Sequence, residues 1–190
     1  MPDWRLNVLP IIYKKYILQE DLLIGDGLTS IELKKLNDLH YNFSFICEKL
    51  SRYKIPETLD HCDFHDNNIL IQSKTKRVTI IDLGETVITH PFFSLITCLR
   101  NFRFRYSLKE TDEAYLNLKE LSLNCDIYKN ETKENIAEAF LLANQLWPVY
   151  ESLGQYRLMT SCDPAQFKSL NRHGRLAVGL KGFIETFSGK

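Results

Sequence analysis

The sequence has no excess of charge of either sign. Its 24 lysine and arginine residues balance 24 aspartate and glutamate residues, so the formal net charge at pH 7 is zero. Proteins whose main partner is nucleic acid concentrate positive charge on one surface. The balance therefore predicts that nucleic acid is not a partner of this chain.

The sequence also lacks cysteine pairs at metal-binding spacing and lacks long apolar runs. Its five cysteines are odd in number and widely separated, which disfavours a disulfide framework and a zinc–thiolate site. No uninterrupted apolar stretch reaches the roughly 18 residues that a membrane span requires. The residues after Met1 do not resemble a secretory signal. We therefore expect a soluble, cytoplasmic protein with no membrane partner.

The composition is that of an ordinary globular protein, with 44% hydrophobic and 25% charged residues in a chain of 190. Apolar residues recur at helical spacing in residues 1–57 and in residues 91–190. Between them, residues 58–90 contain two short apolar stretches, Ile69–Ile71 and Val78–Ile81, separated by a polar turn. The sequence predicts one α+β domain over the whole chain, mainly α-helical, with a small β-hairpin at its centre.

Local signals predict several helix boundaries. Pro10 lies inside the first segment with helical periodicity, so we expect a kink or a break there. Thr29 and Glu32 have the spacing of a capping box, which predicts a helix that continues to just before Pro56. Pro164 marks the predicted start of the last helix.

Three side chains with oxygen donors flank the predicted hairpin. Asp63 and Asn68 are five residues apart and precede its first strand, while Asp82 follows its second strand. Because the connection between the strands is short, we expect the three side chains to lie near one another. A carboxylate and an amide at this spacing match the pattern of a kinase catalytic loop. Phosphoryl transfer needs one carboxylate for the acceptor hydroxyl and hard oxygen ligands for Mg²⁺.

The motif H-x-D-x-H-x-x-N that begins at His61, with the dipeptide Ile-Asp that ends at Asp82, resembles the motifs of the aminoglycoside phosphotransferase and choline kinase-like family. The resemblance implies a protein-kinase-like fold and an ATP- and Mg²⁺-dependent transfer of phosphate to a small-molecule hydroxyl. It implies that Asp63 is the catalytic base and that His65 is a second catalytic residue in the same loop. It also implies that Asn68 and Asp82 bind Mg²⁺ and, through it, the nucleotide, and that His61 has a structural role.

The sequence departs from the family pattern in three respects. Cys62 stands where the family usually has glycine, and His90 and Ser94 stand where it commonly has acidic residues. The residues before Leu59 have helical periodicity, and no β-rich lobe is recognisable among them. The resemblance therefore covers the C-terminal lobe only, and an N-terminal lobe is an expected partner.

Two other functions fit the same residues. A degenerate kinase lobe that binds without catalysis would keep the fold and would account for the departures at His90 and Ser94. The dipeptide His65-Asp66 also occurs in HD-type metal phosphohydrolases, whose imidazole and carboxylate ligands suit transition metals. Those sites are built mainly on helices, whereas this stretch leads into a predicted strand. The sequence leaves open the identity of the phosphate acceptor.

Overall fold

The computed structural model describes residues 1–163 and 172–188, and most of these residues are helical. The helices in these ranges are α1 (Leu9–Ile17), α2 (Glu20–Gly25), α3 (Ser30–Asp38), α4 (His40–Ser51), α5 (Phe92–Arg105), α6 (Glu113–Leu123), α7 (Lys133–Ser161) and α8 (Arg175–Ser188). Four short strands lie between α4 and α5, namely β1 (Thr58–Asp60), β2 (Ile69–Ile71), β3 (Val78–Ile80) and β4 (Val87–Thr89). The predicted α+β class, mainly helical, is confirmed.

The four strands form two antiparallel pairs. In the predicted hairpin, β2 pairs with β3 so that Ile69 lies opposite Ile80. The second pair joins β1 to β4, with Asp60 opposite Val87. The sequence does not predict β1, because a strand of three residues is too short for its alternation to be recognised. This second pair holds the start of the loop after β1 beside the segment that leads into α5.

The chain divides into two compact units. The first consists of Met1–Arg5 and Tyr53–Phe140, and it contains the four strands, α5, α6 and the start of α7. Part of its core is aromatic, because Phe92 lies with its ring centroid 5.0 Å from that of Tyr128 and 5.5 Å from that of Phe140. All of the predicted site residues belong to this unit. That the whole chain is one domain stays a prediction.

The second unit consists of Leu6–Arg52 and Leu141–Lys190, and it contains α1 to α4, the rest of α7 and α8. In its core, the rings of Tyr13 and Phe43 stack with centroids 4.5 Å apart, and Phe183 meets Tyr13 edge-on at 5.9 Å. Within residues 1–163 and 172–188, none of the helices combines the length and the apolar character needed to cross a membrane.

The predicted helix boundaries have different outcomes. Thr29 caps α3 as predicted, because its hydroxyl accepts a hydrogen bond from Glu32 N and the Glu32 carboxylate accepts one from Thr29 N. The helix predicted after it is instead two helices that meet at Leu39. Pro10 does not break a helix, because it lies in the first turn of α1, where a backbone N–H would have no helical partner. The helix start predicted at Pro164 lies outside the described residues.

Candidate active site

The predicted catalytic-loop residues lie between β1 and β2. Asp63 and His65 belong to the loop, and Asn68 ends a short 3₁₀ turn, Asp66–Asn68, that leads into β2. His65 Nε2 is 3.3 Å from Asp63 Oδ2. The side-chain nitrogen of Asn68 donates to the Asp63 carbonyl oxygen at 2.9 Å and lies 3.4 Å from His65 Nε2. The structure therefore brings these three side chains together.

The three residues differ in exposure in a way that suits different roles. The side chain of Asp63 is 55% exposed and that of His65 is 24% exposed, whereas Asn68 is buried. The Asp63 carboxylate is therefore accessible to a small molecule. Because the nitrogen of the Asn68 amide is engaged by the loop, its Oδ1 is the atom that remains for a cation.

Asp82 reaches the same region through the hairpin. Ile81 N donates to the Asn68 carbonyl oxygen at 3.0 Å, which extends the β2–β3 pairing by one residue. Ile81 therefore lies opposite Asn68, and Asp82 is the next residue in the chain. It is exposed and has a φ of 60°, a left-handed conformation that aspartate tolerates better than most residues do. The turn directs the chain away from the strand immediately after Asp82.

Asn68 and Asp82 provide the kind of oxygen donors that Mg²⁺ prefers. This ion is usually held by one or two carboxylates, together with waters and the phosphates of a substrate. One amide oxygen and one exposed carboxylate at the open end of the hairpin fit that requirement. Among the described residues, no group of three or more histidine, cysteine, aspartate or glutamate side chains is arranged to hold a metal.

The backbone immediately before Asp63 forms a strained turn. Cys62 has a φ of 62°, and Asp63 N donates to the His61 carbonyl oxygen across it at 2.8 Å. Three-residue turns with a positive φ at the centre are rare, and such a conformation costs on the order of 1–3 kcal/mol in residues other than glycine. The glycine usual in the family pattern would adopt it without strain.

Two residues that the sequence did not predict as part of the site hold this turn. Asp60 is 1% exposed, and its two carboxylate oxygens accept hydrogen bonds from Cys62 N and Ser94 N, both at 2.8 Å. The Ser94 hydroxyl accepts from His61 N at 3.1 Å. Ser94 lies in the first turn of α5, so the contact joins the loop to that helix. The only sequence signal for Asp60 was its place three residues before Asp63.

His61 connects the loop to the hairpin. Its Nε2 lies 2.7 Å from the Ile81 carbonyl oxygen, one residue before Asp82. A carbonyl oxygen can only accept, so Nε2 is the donor in this contact. The buried Nδ1 has no hydrogen-bond partner in the part of the chain that the structure describes. The contact supports the structural role that the resemblance implied for His61.

The 3₁₀ turn between His65 and β2 is held by the end of α5. The guanidinium of Arg105 pairs with the Asp66 carboxylate and donates to Asn67 Oδ1 at 2.9 Å, and the Tyr106 hydroxyl donates to Asp66 at 3.4 Å. Desolvation raises the pKa of Asp66, but the hydrogen bonds and the charge of Arg105 lower it by more, so the net shift is downward. Asp66 is therefore an ion-pair partner of an arginine, which differs from the metal ligand of the HD-type alternative.

The two positions that lost acidic residues have different surroundings. Burial lowers the pKa of His90 to about 3, so its ring is neutral at physiological pH. His90 Nδ1 accepts from Phe92 N at 3.3 Å, and its buried Nε2 has no partner among the described residues. His90 therefore does not supply the charge of the acid it replaces, whereas Ser94 contacts the loop directly.

Comparison with known proteins agrees with the motif geometry. Residues 20–128, more than half of the chain, match the model of the phosphotransferase enzyme family. No curated protein matches the chain. The matched segment runs from the start of α2 to the 3₁₀ turn after α6, and it includes Asp63, His65, Asn68 and Asp82.

Proposed function

Because the chain belongs to the phosphotransferase enzyme family, which implies a kinase-like fold, we propose that it transfers the γ-phosphate of ATP to a hydroxyl group of a small molecule. The observation that carries the proposal is the arrangement around Asp63. Its exposed carboxylate lies 3.3 Å from His65, and its carbonyl oxygen accepts from Asn68. The acceptors that the resemblance suggests are aminoglycosides, choline and related hydroxyl compounds.

In the proposed reaction, Asp63 orients the acceptor hydroxyl and takes its proton while the hydroxyl oxygen forms a bond to the γ-phosphorus. The bond from the γ-phosphorus to the oxygen that bridges it to the β-phosphate breaks, and ADP leaves with that electron pair. His65 lies beside the Asp63 carboxylate and limits the directions in which it can point. The exposure of Asp63 allows a bound acceptor to reach it.

Asn68 and Asp82 would hold Mg²⁺, through the amide oxygen and the carboxylate respectively. The ion, when bound, neutralises charge on the phosphates. Two backbone contacts keep the ligand-bearing segments together, because Ile81 N donates to the Asn68 carbonyl and His61 Nε2 donates to the Ile81 carbonyl. The protein's contribution at this point is to fix where the two oxygen donors lie.

The exposed surface of the hairpin supports a further partner. All three residues of β3 are exposed, and Ile71, Val78 and Ile80, which share one face of the hairpin, are between 46% and 62% exposed. A contiguous apolar surface beside ligand-binding residues is typical of an interaction site. We expect a β-rich N-terminal lobe to contact this surface and to cover the nucleotide.

A non-catalytic binding role is the second candidate function. The observation that favours it is His90, which is buried and neutral where the family pattern commonly has an acidic residue. A protein of this kind would bind ATP with Mg²⁺ and would not transfer phosphate.

The test is transfer of radiolabelled γ-phosphate from ATP by the full chain, with Mg²⁺ and a panel of aminoglycosides, choline and sugars. We expect Mg²⁺-dependent transfer that Asp63→Asn lowers by about 100-fold or more, because general base catalysis is lost. Glu120→Gln is a matched control, since Glu120 is an exposed acidic residue on α6.

The outcomes separate the two candidate functions. Binding of MgATP without transfer to any acceptor would support the non-catalytic role. Transfer at the wild-type rate by Asp63→Asn would contradict the assignment of the base. A chain that neither binds MgATP nor transfers phosphate would contradict both candidates.

A further inference from the structure

We propose that Asp60 and Ser94 act together as positioning residues for Asp63. The proposal rests on the function proposed above and assigns a role to two residues outside the motif. Each side chain accepts a hydrogen bond from a backbone N–H of the segment that carries the other. Asp60 Oδ2 accepts from Ser94 N at 2.8 Å, and Ser94 Oγ accepts from His61 N, the residue after Asp60, at 3.1 Å.

The two residues fix the turn that leads to Asp63. Three consecutive backbone N–H groups have defined acceptors: His61 N donates to Ser94, Cys62 N donates to Asp60 and Asp63 N donates to His61. Cys62, at a φ of 62°, keeps a conformation that a residue other than glycine adopts only when its surroundings impose it. Asp63 is the next residue, so the direction of its carboxylate depends on the turn.

Because Asp60 is buried, the loss of either of its two hydrogen bonds would be costly in free energy. A carboxylate accepts stronger hydrogen bonds than a neutral oxygen does. Loss of one acceptor leaves a backbone N–H without its partner in a site from which water is largely excluded, since Asp60 is 1% exposed. The backbone of Asp60 is itself fixed, because it lies opposite Val87 in the β1–β4 pair. With its backbone fixed and two charged oxygens as acceptors, Asp60 can hold the turn that orients Asp63.

The pair also accounts for the departure from the family pattern at Ser94. An acidic side chain is expected at that position and a hydroxyl stands there instead. A carboxylate is nevertheless present at the same contact, because Asp60 supplies it from the other side. The contact between the loop and α5 therefore keeps one carboxylate, contributed by a different residue.

The first experiment measures amide hydrogen exchange by NMR in the full chain. In Asp60→Asn, an amide group replaces one acceptor oxygen with a donor, so exchange at Cys62 or Ser94 should accelerate by about tenfold or more. In Ser94→Ala, the accelerated amide should be that of His61. Ser122→Ala, which removes an α6 hydroxyl bonded to the Leu118 carbonyl, should leave these amides unchanged. Unchanged exchange in both variants would overturn the proposal.

The second experiment distinguishes positioning from a merely structural role. With MgATP and whichever panel hydroxyl accepts phosphate, Asp60→Asn should lower kcat by about tenfold or more, because a misplaced catalytic group reacts poorly. The KM for MgATP should change by less than about twofold, since the metal ligands are not altered. Accelerated exchange with an unchanged kcat would overturn positioning and leave a structural contact.

The most specific test is recovery of kcat by a double variant. The double variant Asp60→Asn with Ser94→Asp returns a carboxylate to the same contact from α5, and it should recover most of the kcat that Asp60→Asn loses. If the kcat of the double variant does not exceed that of Asp60→Asn, the proposal that Asp60 supplies the carboxylate expected at position 94 is overturned. If Asp60→Asn does not fold, Ser94→Ala replaces it, with a several-fold loss of kcat expected for one hydrogen bond.

Failure of the proposed function can be recognised separately. If the wild-type chain transfers no phosphate, the backbone of Cys62 in crystals of Asp60→Asn decides the matter. Loss of the positive φ at Cys62 would support control of the loop by Asp60. A φ that stays near the wild-type 62° would overturn it.

Discussion

Two residues with left-handed backbone conformations set the directions of the two carboxylates in the candidate site. Cys62 has a φ of 62° and precedes Asp63, whereas Asp82 has a φ of 60° and carries the second carboxylate itself. Strain of this kind persists where surrounding contacts impose it, and it occurs often at functional sites. At Asp82 the side chain type reduces the cost, whereas at Cys62 it does not. The strain at Cys62 should therefore be measurable.

We predict that Cys62→Gly changes the free energy of unfolding by less than about 1 kcal/mol, because relief of strain is offset by the greater freedom of glycine in the unfolded chain. In contrast, Cys62→Val should destabilise the protein by about 2 kcal/mol, because a β-branched residue is poorly tolerated at a positive φ. Urea unfolding of the full chain measures both changes.

The control for this comparison is Cys125→Val. Cys125 is exposed and has an extended backbone with a φ of −74°, so valine should be tolerated there. Equal effects of valine at Cys62 and Cys125 would contradict the strained conformation.

At the same scale, the sequence identified the residues that a local motif connects and missed those joined by folding. Asp63, His65 and Asn68 fall within six residues, so their spacing alone predicts that they meet. Asp60 and Ser94 are 34 residues apart, and their contact exists because β1 pairs with β4. No short-range pattern encodes such a pairing when each strand has only three residues.

At the scale of elements, α7 and α8 approach each other closely at a glycine. A Cβ atom on Gly179 would lie 2.6 Å from the Pro148 carbonyl oxygen and 2.8 Å from Ser152 Cβ. The approach places Ser152 where its hydroxyl donates to the Leu176 carbonyl oxygen at 2.9 Å, and the Tyr16 hydroxyl lies 2.7 Å from Ser152 Oγ. Glycine is therefore required at this crossing for space rather than for backbone conformation.

We predict that Gly179→Ala destabilises the protein by about 1–3 kcal/mol, because the two helices must separate to admit the methyl group. Gly154→Ala is the matched control, since Gly154 lies inside α7 and a Cβ there would meet no atom within 4 Å. This control should stabilise the protein by about 0.5–1 kcal/mol, because alanine favours a helix interior more than glycine does. Thermal unfolding measures both; destabilisation of similar size in the two variants would contradict the close packing at Gly179.

Long elements were easier to predict from the sequence than short ones. The helices from α5 to α7 follow apolar periodicity that extends over several turns, and they lie within residues 91–190, where helical structure was predicted. Periodicity did not predict the break at Leu39, a single residue that separates α3 from α4. It also does not fix burial, because Phe104 belongs to the apolar pattern of residues 91–190 and is 88% exposed near the end of α5. A helical pattern identifies an apolar stripe, but the extent of the neighbouring elements decides how much of that stripe is covered.

At the scale of the whole molecule, one buried group links stability to pH. His90 is 1% exposed, and burial lowers its pKa to about 3, whereas histidine in an unfolded chain titrates near 6.5. Between these values the unfolded chain binds a proton that the folded chain does not bind. Stability from this group is therefore fully present above about pH 6.5 and is lost progressively as the pH falls toward 3.

We predict that the wild-type protein loses about 2 kcal/mol more unfolding free energy between about pH 7.5 and pH 5 than His90→Asn does, since each pH unit below about 6.5 contributes about 1.4 kcal/mol. Asparagine is suitable because its side-chain oxygen can accept from Phe92 N, as His90 Nδ1 does, and it does not titrate. Urea unfolding at the two pH values measures the difference, and all other titrating groups are common to both proteins. Equal losses would show that His90 gains its proton in the folded protein as readily as in the unfolded chain, which would contradict its burial as a neutral ring.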